Sequence, residues 1–131
     1  MKKSGILNVS LSAHIAALGH KDLFLIGDAG MPIPPGVPIV DLVLIGGVPS
    51  FEQVIRAIEN EVVAEHLYLA EEIKEKNPKV LDVIHETFSG VGESCMSHED
   101  LKAFTKNVKF AVRTGEITPF ANVIVRAGVA F

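Results

Sequence analysis

A stretch rich in proline and glycine limits what the N-terminal third of this chain can fold into. Residues 27–38 contain four prolines and three glycines, which excludes a regular helix there and predicts a stiff, irregular loop. The apolar run before it, Leu23–Ile26, is too short for a helix and predicts a strand buried on both faces, as in a parallel sheet. Asn8 or Ser10 would cap a preceding helix, and Gly19 would end that helix in a left-handed conformation.

Beyond this loop, apolar runs alternate with helical patterns. A second strand is predicted over residues 39–45. Ser50 and Gln53 form a capping-box pattern, and the helical spacing of apolar residues predicts one long helix over residues 51–76. The remaining elements are predicted in this order: a helix with Leu81, Ile84 and Phe88 inward, a strand through Cys95, a helix capped by Ser97, and strands over Val108–Val112 and Asn122–Val125. This alternation predicts an α/β fold with α/β/α layers, a mostly parallel, Rossmann-like sheet and helices on both faces.

Size and composition predict a single domain that meets another subunit. Residues 1–131 suffice for one hydrophobic core. A hydrophobic share of 48% with only 21% charged residues is high for a small protein, so another subunit is predicted to cover part of the apolar surface. The net charge of −4, without a cluster of Lys or Arg, argues against nucleic acid or an anionic membrane surface as partner. A neutral small molecule fits better.

The single cysteine, Cys95, excludes an intrachain disulfide and gives no sign of an oxidising compartment. Because no motif surrounds it, we interpret it as a buried strand residue rather than a nucleophile. The N-terminal residues open with two lysines but lack the apolar core of a signal peptide, and no run reaches the roughly 20 apolar residues of a membrane span. The sequence therefore predicts a cytoplasmic protein.

Two polar residues stand in loops on either side of the first strand. His20 lies just past a predicted helix end, and a histidine in such a place can both give and take a proton at neutral pH. Asp28 follows the strand beside two glycines, where a carboxylate can accept hydrogen bonds from hydroxyl groups or polarise an imidazole. Each has a plainer explanation: a surface histidine satisfied by water, and an aspartate that forms an Asx-turn with its own backbone.

A second group of candidates lies near the C-terminus. His98 falls in the first turn of a predicted helix, where the helix dipole disfavours a charged ring and a neutral imidazole can recognise a hydroxyl. Lys102 lies one turn later on the same helix face and is a plausible neighbour, although on its own a solvated lysine is the more ordinary interpretation. Phe120 and Asn122 open the last strand, from which either side chain can reach a pocket.

No metal or nucleotide cofactor is predicted. His14, His66 and His85 are scattered over predicted helices without a second ligand at a paired spacing. The glycine pattern contains neither a P-loop nor a dinucleotide fingerprint. Arg113 and Glu116 flank a turn, where a structural ion pair explains them as well as a functional role does.

Three segments, read in this order, resemble the ribose pyranase and fucose mutarotase family: Gly19-His20-Lys21-Asp22, the run from Gly27 to Pro34, and Pro119-Phe120-Ala121-Asn122. The resemblance covers residues 1–131, and the run from Asp28 to Pro34 looks more like the ribose branch. It implies an isomerase that needs no cofactor. Such an enzyme interconverts the β-pyranose and β-furanose forms of D-ribose by acid/base ring opening and reclosure, and supplies furanose for ribose utilisation.

The resemblance also implies roles for single residues. His20 matches the proton donor of the family, and Asp28 and His98 match ligand-binding residues. The family commonly has tyrosine where this chain has Phe120, and the missing hydroxyl removes one donor and acceptor but keeps the stacking surface. Asn122 is then the better polar candidate on the last strand.

The spacing of His20 and Asp28 predicts a pocket shared between subunits. If residues 21–27 run extended at about 3.3 Å each, the two side chains lie roughly 20 to 25 Å apart, too far to hold one small sugar. The family forms ring-like oligomers, decamers in the ribose branch, which implies a homodecamer that binds D-ribose where subunits meet. Two alternatives stay open: an L-fucose mutarotase-type enzyme, and a non-enzymatic ribose-binding accessory of an uptake system.

Overall fold

The computed structural model describes residues 1–131, which form five α-helices and six strands. In chain order these are α1 Val9–Ala16, β1 Leu23–Gly27, β2 Ile39–Asp41, α2 Phe51–Glu59, β3 Ala64–Ala70, α3 Ile73–Lys76, α4 Pro78–Thr87, β4 Gly92–Met96, α5 His98–Phe104, β5 Phe110–Arg113 and β6 Val123–Ala127. None of the helices is long and apolar enough to cross a membrane.

All six strands belong to one sheet in the order β2-β5-β1-β6-β3-β4. The β1–β5, β2–β5 and β3–β4 pairs are parallel, whereas β6 runs antiparallel to both of its neighbours, β1 and β3. The predicted α/β fold with a mostly parallel sheet is therefore confirmed, and the last strand is the one exception in direction.

Each face of the sheet carries its own apolar core. On one face, α1, α2 and α4 pack against Phe24 and Ile26 of β1 and the equivalent residues of the neighbouring strands. On the other face, Leu101 of α5 and Met31 of the loop after β1 pack against Leu25. Strand β1 is thus buried on both faces, as the run Leu23–Ile26 predicts.

The predicted helix caps are present. Asn8 caps α1 by accepting from the Leu11 N–H, and Ser97 caps α5 by accepting from the Asp100 N–H. The capping box of α2 has both of its hydrogen bonds, one from each side chain, as its spacing predicts. Local hydrogen bonds between residues three apart are enough to place these helix starts.

The predicted left-handed end of α1 at Gly19 is wrong. The helix ends at Ala16, and Ala17 follows in a right-handed conformation. The left-handed residue is Lys21, with a φ of 71°. The Asp22 carboxylate accepts from the Gly19 N–H at 2.7 Å and closes a turn of its own, so the chain reverses two residues later than glycine placement suggests.

The predicted long helix over residues 51–76 is also wrong. Helix α2 stops at Glu59, and residues 64–70 form strand β3. In this strand Leu67 and Leu69 alternate toward the core, and the backbone pairs with β4 on one side and β6 on the other. These pairings join residues far apart in the chain, and they outweigh a helical spacing that the same apolar residues also satisfy.

Strand β2 is shorter than predicted, because it ends at Asp41, opposite the last residue of β5, Arg113. The chain then folds back on itself through an antiparallel bridge between Ile45 and Val48. This fold leaves the side chains of Leu44 and Ile45 mostly exposed. An apolar run that the sequence places in a strand becomes instead an apolar surface.

Candidate functional site

Asp28 and Asn122 form a reciprocal hydrogen-bonded pair where the end of β1 meets the start of β6. The Asp28 N–H donates to Asn122 Oδ1 at 3.0 Å, and Asn122 Nδ2 donates to Asp28 Oδ2 at 2.7 Å. Asn122 is fully buried, so its carboxamide is held rigidly behind the carboxylate. The other oxygen of Asp28 accepts from the Gly30 N–H at 2.9 Å. The Asx-turn that explains Asp28 locally is therefore present alongside the contact with Asn122.

His98 and Phe120 form an edge-to-face ring pair next to this carboxylate–amide pair. The ring centroids are 5.0 Å apart and the ring planes lie at 88°. Phe120 has a φ of 58°, and its carbonyl accepts from the Asn122 N–H at 2.8 Å, so a tight turn fixes its ring relative to Asn122. A left-handed, non-glycine residue of this kind is unusual, and such residues cluster at functional sites. The four predicted residues Asp28, His98, Phe120 and Asn122 thus lie together.

Glu72 fixes the start of the helix that carries His98. Its two carboxylate oxygens accept from the His98 N–H at 3.1 and 3.0 Å. His98 Nδ1 is buried and has no protein hydrogen-bond partner. The imidazole is therefore held by its backbone and by the edge-to-face contact with Phe120, while its ring nitrogens make no hydrogen bond to another side chain.

An open hollow of about 300 Å³ lies beside Asp28, between the loop after β1 and the connection from β5 to β6. Its lining residues are Asp28, Ala29, Gly30, Glu116, Ile117, Thr118 and Pro119. Such a volume is at the lower end of the range of small-molecule pockets. Because the hollow is open, one protomer alone does not enclose a ligand there.

Glu116 is a residue of this hollow whose role is not predicted by the sequence. Its carboxylate accepts from the Phe51 N–H at 3.2 Å and from the Thr118 hydroxyl at 3.0 Å. Arg113, the possible ion-pair partner of Glu116, instead forms a bidentate pair with Asp41. The signal that points to Glu116 is its position just after β5, which is parallel to β1 and ends at the same edge of the sheet.

Lys102 does not join the four clustered residues. Its Nζ pairs with the Glu99 carboxylate at 2.7 Å along the surface of α5. Within one protomer this is an ordinary salt bridge between residues three apart in a helix.

His20 lies at the opposite end of β1 from Asp28. The intervening strand of five residues spans about 17 Å at the usual rise per residue. The His20 side chain is half-exposed, and its Nε2 lies 3.5 Å from the Glu65 carboxylate. One protomer therefore holds two separate clusters, one around Asp28 and one around His20.

The turn that carries His20 is held by Asp22. One oxygen of the Asp22 carboxylate accepts from Lys109 Nζ and from the Gly19 N–H, both at 2.7 Å. The hydrogen bond from Lys109, aided by that from Gly19, holds the pKa of Asp22 below its ordinary value. Asp22 is thus ionised at neutral pH and fixes the backbone on both sides of His20.

The residues around both clusters include no group of three or more His, Cys, Asp or Glu side chains close enough together to hold a metal ion. Cys95 lies partly buried on β4, where burial first of all raises the pKa of its thiol. A raised pKa favours the protonated thiol, which is a poor nucleophile.

Comparison with known proteins gives full-length matches. The sequence profile described as the RbsD / FucU transport protein family matches residues 1–130. A D-ribose pyranase from Geobacillus thermodenitrificans is 47% identical over 131 residues, covering 100% of this chain and 99% of that protein. A D-ribose pyranase from Bacillus velezensis is 45% identical and covers 100% of both chains.

Solved structures show the same architecture. The structure of Bacillus subtilis RbsD complexed with D-ribose superposes with a TM-score of 0.96 at 43% identity, covering 100% of both chains. The fucose mutarotase of Streptococcus pneumoniae, solved in complex with L-fucose, has a TM-score of 0.81 at 18% identity over 95% of both chains. The second similarity concerns the fold alone.

Proposed function

This chain belongs to the RbsD / FucU transport protein family, and from that premise we propose that it is a D-ribose pyranase, an isomerase that interconverts the pyranose and furanose forms of D-ribose. The observation that carries this proposal is the identity of 45 to 47% with D-ribose pyranases over the whole chain. The fucose mutarotase is related at only 18% identity, so a fucose-specific activity has the weaker support.

The reaction moves protons and exchanges one C–O bond for another. The anomeric hydroxyl loses a proton, the ring oxygen O5 gains one, and the C1–O5 bond breaks to give the open-chain aldehyde. Attack of O4 on C1 then closes the furanose, with the reverse proton movements. Nothing is oxidised and no group leaves, so positioned acid/base groups, which contribute about 10²- to 10⁴-fold, suit the reaction.

We propose that the Asp28 cluster binds the sugar. Each Asp28 oxygen already accepts one hydrogen bond, and a carboxylate oxygen has a further lone pair for a sugar hydroxyl. Asn122 keeps this carboxylate in place, and the imidazole of His98 supplies a second polar contact. Phe120 offers an apolar ring face in place of the tyrosine common in the family. Lys102, on the helix that begins at His98, is the further polar residue that we propose to contact the sugar.

We propose that His20 is the proton donor and that it serves the Asp28 cluster of another protomer. The separation of the two clusters along β1 supports a shared pocket, since one ribose cannot span it. Ile117, 72% exposed, lines the hollow beside Asp28. Leu44 and Ile45, 76% and 63% exposed, lie just before Gly46, where a Cβ atom would be 3.6 Å from the Ile117 side chain. A partner subunit seated on this surface would close the open hollow. A homodecamer, as implied for the ribose branch, is the assembly we expect.

Residues 1–131 are proposed to act as one functional domain, since β1 and β6 lie side by side and both clusters are built on residues in or beside these two strands. A cytoplasmic location, expected from the sequence, stays a prediction.

NMR magnetisation transfer on D-ribose tests the activity directly. We expect the protein to speed exchange between pyranose and furanose anomeric signals, and His20→Ala to remove most of that acceleration while the melting temperature stays within a few degrees. His85→Ala is the matched control, because His85 is a half-exposed histidine whose side chain likewise pairs with a glutamate, Glu93. Unchanged exchange with the wild type would lead to the same measurement on L-fucose. A second negative result, with ribose still bound, would instead support the binding-only accessory.

The shared pocket is tested by mixing two inactive proteins. We expect His20→Ala and Asp28→Ala variants, after subunit exchange, to recover part of the activity, because some interfaces then pair an intact His20 with an intact Asp28. Mass spectrometry of the mixed assemblies verifies the exchange. No recovery in verified hybrids would mean that each protomer works alone.

A further inference from the structure

Strand β3 contains a bulge whose extra residue is Glu65. In the pairing with β6, Ala64 lies opposite Ala127 and His66 lies opposite Arg126. Glu65, between them on β3, therefore has no residue of β6 opposite it. A bulge of this kind bends a strand and re-aims a side chain, and bulges are common beside active sites. The register irregularity therefore marks Glu65 as a side chain whose direction departs from the normal alternation.

The Glu65 carboxylate lies between an arginine and the proposed proton donor. Its Oε2 is 3.3 Å from Arg126 Nε and 3.5 Å from His20 Nε2. Arg126 is in turn held from the other side, where its Nη1 donates to the Tyr68 hydroxyl at 3.3 Å. Arg126 Nε is buried and makes no hydrogen bond, so the Glu65 carboxylate 3.3 Å away is paired with it by charge alone. Strands β3 and β6 and the turn before β1 thus meet in one row of polar side chains from Tyr68 to His20.

We propose that Glu65 is a positioning residue for His20 and that Arg126 holds Glu65 in place. This inference rests on the proposed function and on the role of His20 in it. The carboxylate faces Nε2, so it favours the neutral ring that carries its proton on Nε2 and leaves Nδ1 to exchange a proton with the sugar. It also attracts the positive charge on the ring whenever Nδ1 takes the proton of the anomeric hydroxyl, before that proton passes to O5. No proton is gained or lost over the cycle.

The conservative variant Glu65→Gln separates this role from simple folding. It keeps the shape of the side chain but removes the charge that orients Nε2–H. We expect kcat to fall about tenfold or more, as part of the 10²- to 10⁴-fold effect of a positioned acid/base group, while KM for ribose changes little because the Glu65 carboxylate contacts His20 and Arg126 rather than the residues proposed to bind the sugar. Arg126→Gln should act in the same direction, and Arg126→Lys should restore part of the loss.

Glu93→Gln is the matched control. Glu93 contacts His85 at 2.8 Å, which gives an equivalent Glu–His pair away from both clusters. We expect this variant to keep the activity of the wild type. Equal losses in the two variants would show that removing any surface carboxylate has the same effect, and would overturn the proposal.

The decisive readout is the tautomer of His20, observed by ¹⁵N NMR of histidine-labelled protein and assigned by comparison with His20→Gln. We expect the neutral ring to carry its proton on Nε2 in the wild type and to become a mixture of tautomers in Glu65→Gln. An unchanged tautomer, or a lower kcat that is matched by a lower melting temperature, would overturn the proposal. If the wild type failed to speed ribose exchange, the proposed function would fall, yet the tautomer measurement would still report on the contact itself.

Discussion

At the scale of single residues, Gly27 leaves room for the side chain that holds Asp28. A Cβ atom at this position would lie 2.9 Å from Asn122 Oδ1 and 3.2 Å from Met31 Cβ. Asn122 is fully buried and has two hydrogen bonds to Asp28, so it cannot move aside without breaking them. The glycine that ends β1 is therefore part of the geometry of the pocket as well as of the turn.

Gly27→Ala is expected to weaken ribose binding through this overlap. Displacing the Asn122 carboxamide frees the Asp28 carboxylate, so KM should rise, and overpacking a full core costs about 1 to 3 kcal/mol in unfolding free energy. Exchange rates measured over a range of ribose concentrations, together with urea unfolding, check both effects. Wild-type values of KM and unfolding midpoint would show that Asn122 adjusts freely.

Lys21 adopts a conformation that glycine accepts more readily. Its φ of 71° costs a residue with a Cβ about 1 to 2 kcal/mol in the folded state. Glycine would remove this strain, but it would also give the unfolded chain more conformational freedom, which offsets part of the gain. We expect Lys21→Gly to unfold at the same urea concentration as the wild type or a higher one. Ala17→Gly, at a right-handed position with a φ of −88°, is the control and should lose about 0.5 to 1 kcal/mol. Destabilisation of both variants to the same extent would contradict the strain.

Asp22 should make the stability of the protein depend on acidic pH. Because the hydrogen bond from Lys109 lowers the pKa of Asp22 in the folded state, its stabilising contribution is complete above the unfolded pKa of about 3.9 and is lost as pH falls through the lower folded value. We expect Asp22→Asn to lower the melting temperature at pH 7 and to differ less from the wild type at pH 3. A constant difference across this range would contradict the linkage.

At the scale of elements, the connection from β5 to β6 packs tightly on the fold-back after β2. The Gly47 N–H donates to the Gly115 carbonyl at 2.6 Å, and the Gly115 N–H donates to the Pro49 carbonyl at 2.8 Å. A Cβ at Gly115 would lie 2.5 to 2.6 Å from backbone atoms of Val48. Backbone cannot rotate away as a flexible side chain can, so this glycine is needed for the close approach of two chain segments.

Gly115→Ala is therefore expected to destabilise the protein by about 2 kcal/mol or more, a loss that urea unfolding detects. Gly46→Ala is the control in the same region, because its Cβ would make an ordinary 3.6 Å contact with Ile117. Similar unfolding midpoints for the two variants would show that the Val48 backbone shifts at little cost.

Helix starts that depend on hydrogen bonds between nearby residues could be predicted from the sequence. The strand that depends on pairing with residues far away in the chain could not. Asn8, Ser50 and Ser97 each cap a helix through a bond to a residue three positions on, so the pattern suffices. Residues 64–70 become a strand only because β4 and β6 lie on either side, and a single sequence does not display those partners. Because the sequence predicts a helix at Glu65, neither its position on a strand nor its contact with His20 could be predicted.

The site shows the same division. The separation of His20 and Asp28 could be predicted, since both flank one strand and strand length is fixed by backbone geometry. The convergence of Asp28 with Asn122 depends on β6 pairing antiparallel with β1, which places the start of one strand beside the end of the other. Phe120 and His98 meet for the same reason, because β6 brings the turn before it to that edge of the sheet.

At the scale of the whole molecule, the exposed apolar surface formed by Leu44, Ile45 and Ile117 is expected to be an interface between subunits. Leu44→Glu should reduce the oligomer mass measured by light scattering and reduce exchange activity together, since a charge there cannot be buried without a partner. Val9→Glu is the control, an exposed apolar residue on α1 away from the hollow. Loss of assembly in Val9→Glu alone would place the interface at α1 instead.

The position of β6 also determines when the protein can become functional. This strand alone joins β1 and its neighbours on one side to β3 and β4 on the other, and it is the last strand of the sequence. Asn122 stands just before it and Arg126 near its end, so it completes both clusters at once. A nascent chain that still lacks residues 122–127 has two half-sheets with unpaired edges, prone to wrong pairing. Chaperones that shield such edges would therefore be needed most until β6 has been synthesised and has paired with β1 and β3.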